Sequence, residues 1–151
     1  MITIRQATID DIPTVAYLFD KYRQWYKQAA DLEGAIDFLQ SRTENGESVI
    51  LVAMEEGEQI GFTQLYPIFS SVSLSKAWLL NDLFVIESQR GKGVATKLLE
   101  AAKNVGINTE SKWLMLQTSD WNSEAQALYE KNGWVRESDY FYRFDLPQKP
   151  Q

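Results

Sequence analysis

A short glycine-containing segment in the second half of the chain could bind an anion. Residues 89–95 read QRGKGVA; they follow an apolar stretch and lead directly into a segment of helical periodicity. Glycine lets the backbone adopt unusual dihedral angles and approach a ligand closely. The first amides of a helix have no acceptor inside the helix, and together with the helix dipole they attract phosphate groups. With the charges of Arg90 and Lys92, the segment predicts a phosphate or pyrophosphate site; the alternative is a tight turn whose basic side chains face water.

Two common phosphate-binding loops do not fit this segment. A Walker A loop needs a four-residue spacer between its glycines and a Lys-Ser/Thr ending, and residues 91–93 have neither. A dinucleotide-binding loop needs a third glycine and follows the first strand of its fold, which this segment does not. Neither a P-loop nucleotide site nor a dinucleotide site is therefore indicated.

A second group of side chains, near the N-terminus, could bind a cation. Tyr22, Trp25 and Tyr26 are followed closely by Asp31 and Glu33. Aromatic faces and carboxylates together attract an ammonium group. The alternative is that Tyr22 and Tyr26 belong to the apolar face of a helix and that Trp25 is partly buried.

The residue types that the chain lacks exclude several kinds of chemistry. Its 151 residues include no cysteine and no histidine. A cysteine nucleophile, a disulfide framework, a Cys/His zinc site and a serine–histidine triad are therefore excluded, and we expect no metal. With 15 basic and 21 acidic side chains the formal net charge is -6. This charge argues against a nucleic-acid partner and favours a cationic small molecule.

The length suits one domain spanning residues 1–151. The apolar runs are too short for a membrane-spanning helix, and residues 1–5 do not have the layout of a signal peptide. We therefore expect no membrane partner. Because disulfides are also impossible, the cytoplasm is the expected compartment.

The elements that must position these residues follow from hydrophobic periodicity. Segments with the alternation or composition of strands are 2–5, 48–54, 59–66, 78–86 and 112–118. Two aromatic segments, 134–135 and 140–144, are predicted as closing strands, and the serine-rich segment 69–75 as a loop.

Helices are predicted between these strands. One begins near Asp10–Pro13, and a second runs from Asp31 to about residue 45. A third follows Gly93, with Gly106 as its C-cap, and a fourth begins with a capping box at Ser123. The resulting order is a mixed α/β sheet with one parallel crossover in its second half.

Two sequence blocks resemble those of the GNAT N-acetyltransferase superfamily. RGKGVA at 90–95 is similar to the family's Arg/Gln-x-x-Gly-x-Gly/Ala signature, and it lies between a strand and a helix as that family requires. DWNSEAQALYEKNGW at 120–134 resembles the family's Asn-x-x-Ala-x-x-Leu-Tyr-x-x-x-Gly-Phe block, with Trp134 in place of Phe. The element order from Ile2 to Phe144 also matches. Residues 81–85 and 120–122 look most like those of the diamine (spermidine/spermine-type) acetyltransferases.

The resemblance implies a fold and a co-substrate. The GNAT fold has a mixed central sheet of about six to seven strands flanked by about four helices. The co-substrate is acetyl-CoA, whose pyrophosphate the loop amides would grip and whose pantetheine arm would lie along the preceding strand and beside Asn122. The implied acetyl-CoA residues are Leu83, Phe84, Val85, Arg90, Gly91, Lys92, Gly93, Val94, Ala95, Thr96, Asn122 and Ala125. Asn122 would also serve as a helix cap.

The resemblance also implies catalytic residues. Tyr129 matches the family's general acid, and a phenol is protonated at neutral pH, so it can give a proton to the departing thiolate. Diamine acetyltransferases carry Glu where this chain has Asn81, and Asn cannot act as a base, which counts against a polyamine acceptor. Asp82 is the neighbouring candidate, although strand alternation predicts that its side chain points to the opposite face. A water held through the backbone, Glu87 or Asp120 is the alternative.

The implied function is direct transfer of an acetyl group from acetyl-CoA to a primary amine. A small cationic amine is expected, bound by Trp25, Tyr26 and Asn81. The alternatives are acetylation of a protein lysine or N-terminus, and a non-catalytic acyl-CoA sensor. A homodimer is also expected from the resemblance, with the aromatic C-terminal strand either pairing across an interface or completing the monomer core.

Overall fold

The computed structural model describes residues 1–150, and in them five strands form one mixed sheet in the order β1-β2-β3-β4-β5. The strands are β1 (Thr3–Gln6), β2 (Val49–Glu55), β3 (Glu58–Ser70), β4 (Ser75–Val85) and β5 (Leu114–Met115). The first four pair antiparallel, whereas β4 and β5 pair parallel through the predicted crossover. The mixed α/β fold class is therefore confirmed.

Four α-helices accompany the sheet: α1 (Ile12–Trp25), α2 (Leu32–Glu44), α3 (Val94–Asn108) and α4 (Ser123–Lys131). Pro13 lies in the first turn of α1, where its missing N–H would have no helical acceptor anyway. Asp31 begins α2 by accepting a hydrogen bond from the Gly34 amide at 2.9 Å. None of the helices within residues 1–150 is long and apolar enough to cross a membrane.

The helices α1 and α2 cover one face of the sheet. Their buried side chains, among them Val15, Phe19 and Leu39, pack with Val52 of β2 and Phe62 of β3. Successive side chains of a strand point to opposite faces. The buried residues that alternate with Val52 therefore point to the other face, which α3 covers.

Gly106 of α3 does not end the helix as predicted, but lies within it. The helix continues through Gly106 to Asn108, so the prediction of a C-cap at Gly106 is wrong. Gly106 is buried, and a Cβ on it would lie 3.3 Å from Leu114 Cδ2. The missing side chain lets α3 approach β5 closely.

The chain forms two compact units by its internal contacts, Met1–Ser119 and a C-terminal unit that begins at Asp120. The first unit contains the whole sheet and α1 to α3. The second contains α4, which Asn122 caps by accepting a hydrogen bond from Ala125 N at 3.2 Å. The predicted cap at Asn122 is therefore confirmed, whereas the capping box predicted at Ser123 is wrong.

The prediction of about six to seven strands is too high for the described chain, because 134–135 and 140–144 form none. The Trp134 amide donates to the Tyr129 carbonyl at 3.0 Å, which is a helix-terminating bond and not a ladder bond. Tyr140, Tyr142 and Phe144 alternate as in a strand, but their side chains are exposed. Alternation favours a strand only where a neighbouring strand supplies the backbone partners.

Candidate active site

The predicted anion-binding segment forms a turn at the start of α3. Gly91 has φ 78° and Gly93 has φ 82°, and Gly93 is the N-cap of the helix. Lys97 N donates to the Gly93 carbonyl at 3.1 Å, which is the first hydrogen bond of the helix. The amides of Val94 and Ala95 lie before Lys97 in the first turn, where the helix offers them no acceptor. A Cβ on either glycine would meet nothing within 4 Å. The space beside both glycines is therefore open.

The side chain of Arg90 fastens this turn to the strand before it. Its Nε donates to the carbonyl of Val85 at 2.9 Å, and its guanidinium lies 5.7 Å from the centre of the Phe84 ring. Lys92 lies beside the turn, where its ammonium donates to Gln89 Oε1 at 2.7 Å and stands 4.0 Å from Glu55. Both basic groups therefore add positive charge next to the helix N-terminus.

A β-bulge interrupts β4 at Asn81. Leu65 pairs with Leu80 and Gln64 with Asp82, so Asn81 is an extra residue without an opposite number on β3. Sequence alone did not show this bulge. Bulges break the ladder locally and are frequent beside active sites.

The bulge also changes which side chains share a face. Trp78 and Phe84 are six residues apart and would lie on one face of a regular strand. Instead, the Trp78 indole donates to Thr109 at the end of α3, whereas the Phe84 ring lies 6.1 Å from that of Tyr22 on α1. Asp82 lies on the Phe84 side of the bulge, so it points toward α1.

Asp82 is a buried carboxylate held by neutral groups. Its side chain accepts hydrogen bonds from Gln64 Nε2 at 2.7 Å and from Asn81 Nδ2 at 3.1 Å. Thr63 Oγ1 donates to its backbone carbonyl at 2.7 Å. The residue is only 5% exposed, and among residues 1–150 no lysine or arginine forms an ion pair with it.

The burial of this cluster shifts its protonation. Burial raises the pKa of Asp82, and hydrogen bonds from Gln64, Asn81 and Tyr22 offset part of that rise. Burial and the Asp82 charge raise the pKa of Tyr66 to about 12. Burial first, and then the same charge, raise the pKa of Tyr22 far above that of an ordinary phenol. A carboxyl with a raised pKa in a cleft is a suitable proton acceptor near neutral pH.

A pocket of about 490 Å³ lies between α1, α2 and β4, with Asp82 in its wall. The aromatic rings of the wall come from both helices and interact with one another. Phe19 stacks on Phe38 at 5.9 Å, and Tyr22 meets Tyr26 edge-on at 5.0 Å. Pockets that bind small organic ligands have volumes of this order.

The structure separates the residues predicted to bind the amine. Tyr26 lines the pocket, as does Asp31. Trp25 does not line it but meets the Tyr26 ring edge-on at 4.9 Å. Asn81 does not line it either, and its side-chain amide donates a hydrogen bond to the Asp82 carboxylate.

Sequence reasoning missed the role of Gln64. A signal was available, because Gln64 lies between the aromatic residues Phe62 and Tyr66 on one face of β3. A polar residue on a buried face needs a polar partner, which here is Asp82.

The second compact unit contains three of the predicted site residues, Asn122, Ala125 and Tyr129. Asn122 and Ala125 form the cap of α4. Tyr129 lies in the following turn of α4, with its ring centre 6.2 Å from that of Trp134.

The fold and the glycine turn define a class of protein. The chain belongs to the acetyltransferase (GNAT) family, whose sequence model matches residues 13–134. It is therefore an N-acetyltransferase of the GNAT type, and this family uses acetyl-CoA.

Individual relatives extend over most of the chain. One is an uncharacterized N-acetyltransferase YhfO of Bacillus subtilis, 50% identical over 147 residues, which cover 97% of this chain and 99% of the relative. A probable acetyltransferase of Haemophilus influenzae is 35% identical over 71% of this chain and 74% of its own. The crystal structure of a probable acetyltransferase is 40% identical, covers 99% of each chain and has a TM-score of 0.88.

Proposed function

We propose that this enzyme transfers the acetyl group of acetyl-CoA directly to a small, cationic primary amine. The observation that carries the proposal is a buried carboxylate, Asp82, in the wall of a pocket of about 490 Å³. An amine is protonated in water and must lose a proton before it attacks a thioester. Asp82 has no cationic partner in the described chain, and it is therefore suited to bind the ammonium group and take that proton.

Three of the residues proposed to bind acetyl-CoA, Leu83, Phe84 and Val85, lie directly after Asp82 on β4. The turn 90–93 and the first amides of α3 would bind the pyrophosphate group. Strand β5 pairs with β4 only as far as Leu79, so no strand of the described chain covers that edge of residues 83–85. This uncovered edge supports the proposal that Leu83, Phe84 and Val85 bind the pantetheine arm, and acetyl-CoA supplies an activated thioester when bound.

The amine nitrogen loses two protons in this reaction, and the sulfur gains one. Asp82 would accept the first proton from the ammonium group, and the neutral amine nitrogen would then bond to the acetyl carbon. As the carbon–sulfur bond breaks, Tyr129 would donate its phenolic proton to the sulfur, and the second proton from the nitrogen would restore the phenol. The chain contains no cysteine, so no acetyl-cysteine enzyme forms.

Two other functions remain alternatives. An acetyltransferase for a protein lysine or N-terminus needs an open groove for a peptide, whereas the aromatic wall and the buried carboxylate of this pocket favour a small amine. A non-catalytic acyl-CoA sensor would need no proton acceptor beside the pocket. The diamine-type resemblance supports an amine acceptor, although Asn81 lacks the carboxylate of that type.

The test is isothermal titration with acetyl-CoA, followed by a thiol-release screen with amines in the same buffer. We expect saturable binding and release of CoA with one class of amine. Binding without release on any small amine would favour a sensor or a protein substrate. No binding at all would contradict the assignment of the turn 90–93.

A homodimer and a cytoplasmic location also stay predictions. Exposed aromatic side chains in the segment 140–144 support an interface between copies, which sedimentation equilibrium would detect. The complete lack of cysteine is compatible with a reducing compartment, which fractionation of the source cells would test.

A further inference from the structure

The side chains that line the pocket between α1, α2 and β4 indicate a narrower class of acceptor than the family assignment does. Three charged side chains line it: Arg23, Asp31 and Asp82. The partners of each group determine which charge is left for a ligand. This inference rests on the proposed function, because it takes the pocket to be the acceptor site.

Arg23 and Asp31 are engaged by the protein. Arg23 forms an ion pair with the buried Asp20 at 2.8 Å and donates to the Ala29 carbonyl at 3.2 Å. The Asp31 carboxylate caps α2 through Gly34 N, next to the positive end of that helix. The Asp31 amide in turn donates to both Asp20 oxygens, at 3.1 and 3.2 Å. Arg23 is therefore paired with Asp20, and the charge of Asp31 is opposed by the N-terminus of α2.

Asp82 is the exception among these three groups. Its side-chain partners are the neutral groups of Gln64, Asn81 and Tyr22, and it forms no ion pair in residues 1–150. A buried carboxylate without a cation favours a positively charged ligand. The pocket therefore offers one buried position for an ammonium group.

The rest of the wall is largely aromatic. Phe19 and Phe38 stack in parallel, and Tyr22 and Tyr26 meet edge-on. A flat apolar group gains free energy against such rings.

We infer that the acceptor is a monoamine, a primary amine carried on an apolar, aromatic-sized body, and not a diamine or polyamine. Its ammonium group binds at Asp82 and its body lies against the rings of Phe38 and Tyr26. This assignment names the substrate class of the proposed reaction.

The test compares kcat/KM for CoA release with 2-phenylethylamine, ethylamine, putrescine and spermidine. We expect the highest value for 2-phenylethylamine, with both polyamines at least about tenfold lower, which is 1.4 kcal/mol. A higher value for either polyamine would overturn the monoamine assignment while leaving the acetyltransferase proposal intact. Failure of all four amines in a protein that binds acetyl-CoA would overturn the proposed small-amine function, and the assignment with it.

Two variants connect the preference to the pocket. Phe38→Ala should lower kcat/KM for 2-phenylethylamine about three- to tenfold more than it lowers kcat/KM for ethylamine. Tyr17→Ala is the matched control, because Tyr17 is exposed on α1 and does not line the pocket. Equal losses on both amines in Phe38→Ala, or the same loss in Tyr17→Ala, would contradict the assignment.

Discussion

The side-chain nitrogen of Gln64 lies 2.7 Å from Oδ2 of Asp82, and both side chains are buried. The contact joins β3 to β4 at the bulge. It is a hydrogen bond from a neutral donor to a carboxylate, which favours the charged form of the acid. Gln64 therefore positions Asp82 and holds down part of the pKa rise that burial causes.

Replacing Gln64 should change the pH dependence of catalysis. In Gln64→Met the carboxylate loses a donor, so the pKa of Asp82 should rise further. The acidic limb of kcat/KM reports ionisation of the base in the free enzyme, and this limb should move to higher pH. The measurement is a pH profile of CoA release for the wild type and the variant.

Thr63→Val is the control for that profile. The Thr63 hydroxyl donates to the backbone carbonyl of Asp82 and not to its carboxylate. The variant should lose about 1 kcal/mol of stability without moving the acidic limb. An unmoved limb in Gln64→Met would mean that the base is another group.

Removing the carboxylate tests the proposed base directly. Asp82→Asn should lower kcat/KM for amines by about a hundredfold to ten-thousandfold, because general-base catalysis contributes on that order. Its affinity for acetyl-CoA should stay within about twofold, since the turn 90–93 is unchanged. Steady-state kinetics and calorimetry measure the two quantities, and full activity in the variant would exclude Asp82 as the base.

The same variant should differ from the wild type in how its stability depends on pH. Asp82 has a higher pKa in the folded protein than its ordinary value of 3.8, so the folded state binds this proton more tightly than the unfolded state. Ionisation therefore destabilises the fold progressively as the pH rises from 3.8 through the folded pKa. Thermal denaturation should show Asp82→Asn as the more stable protein at neutral pH, with the difference vanishing below 3.8. A difference that grows toward acid would contradict the sign.

The glycine turn can be tested with two matched substitutions. Gly93 and Gly46 both have positive φ, 82° and 64°, and an added Cβ at either would meet nothing within 4 Å. Alanine in this conformation costs about 1–2 kcal/mol, so both variants should unfold at lower temperature by similar amounts. Only Gly93→Ala should also weaken acetyl-CoA binding, by about tenfold or more in calorimetry. Equal affinity in the two variants would place the pyrophosphate site elsewhere.

Tyr129 is tested by removing one oxygen. Tyr129→Phe should lower kcat about a hundredfold or more by removing the proton donor, and acetyl-CoA affinity should be retained. Tyr142→Phe is the control, because Tyr142 is exposed in the C-terminal segment and should lose nothing. An unchanged kcat in Tyr129→Phe would remove Tyr129 from the chemistry.

Most elements of the first unit could be predicted because each has a local signal. Pro13 in the first turn of α1, the start of α2 at Asp31 and the glycine at position 93 all lie where the sequence indicated. The segment 140–144 could not be assigned in the same way. A strand depends on a partner that is distant in sequence, and local alternation contains no information about that partner.

The site was predictable in its residue types but not in its geometry. Strand alternation predicted that Asp82 would point away from Asn81, yet the Asn81 amide reaches the Asp82 carboxylate at 3.1 Å. The bulge is a mismatch in residue number between β3 and β4, so it is visible only once the two strands are paired. Tyr22 was equally ambiguous, because it packs on Phe62 and also lines the pocket.

The bulge has one further consequence, which concerns insertions and deletions. Without Asn81, Leu80 and Asp82 would be consecutive, and regular alternation would still place Trp78 toward α3 and Phe84 toward α1. The hydrophobic faces of β4 therefore do not need the extra residue. A chain shortened by this single residue would keep its core pattern and gain a continuous β3–β4 ladder. The fold could therefore be built from a β4 that is one residue shorter. The irregular backbone beside Asp82 could not be formed without Asn81, so this residue serves the site and not the core.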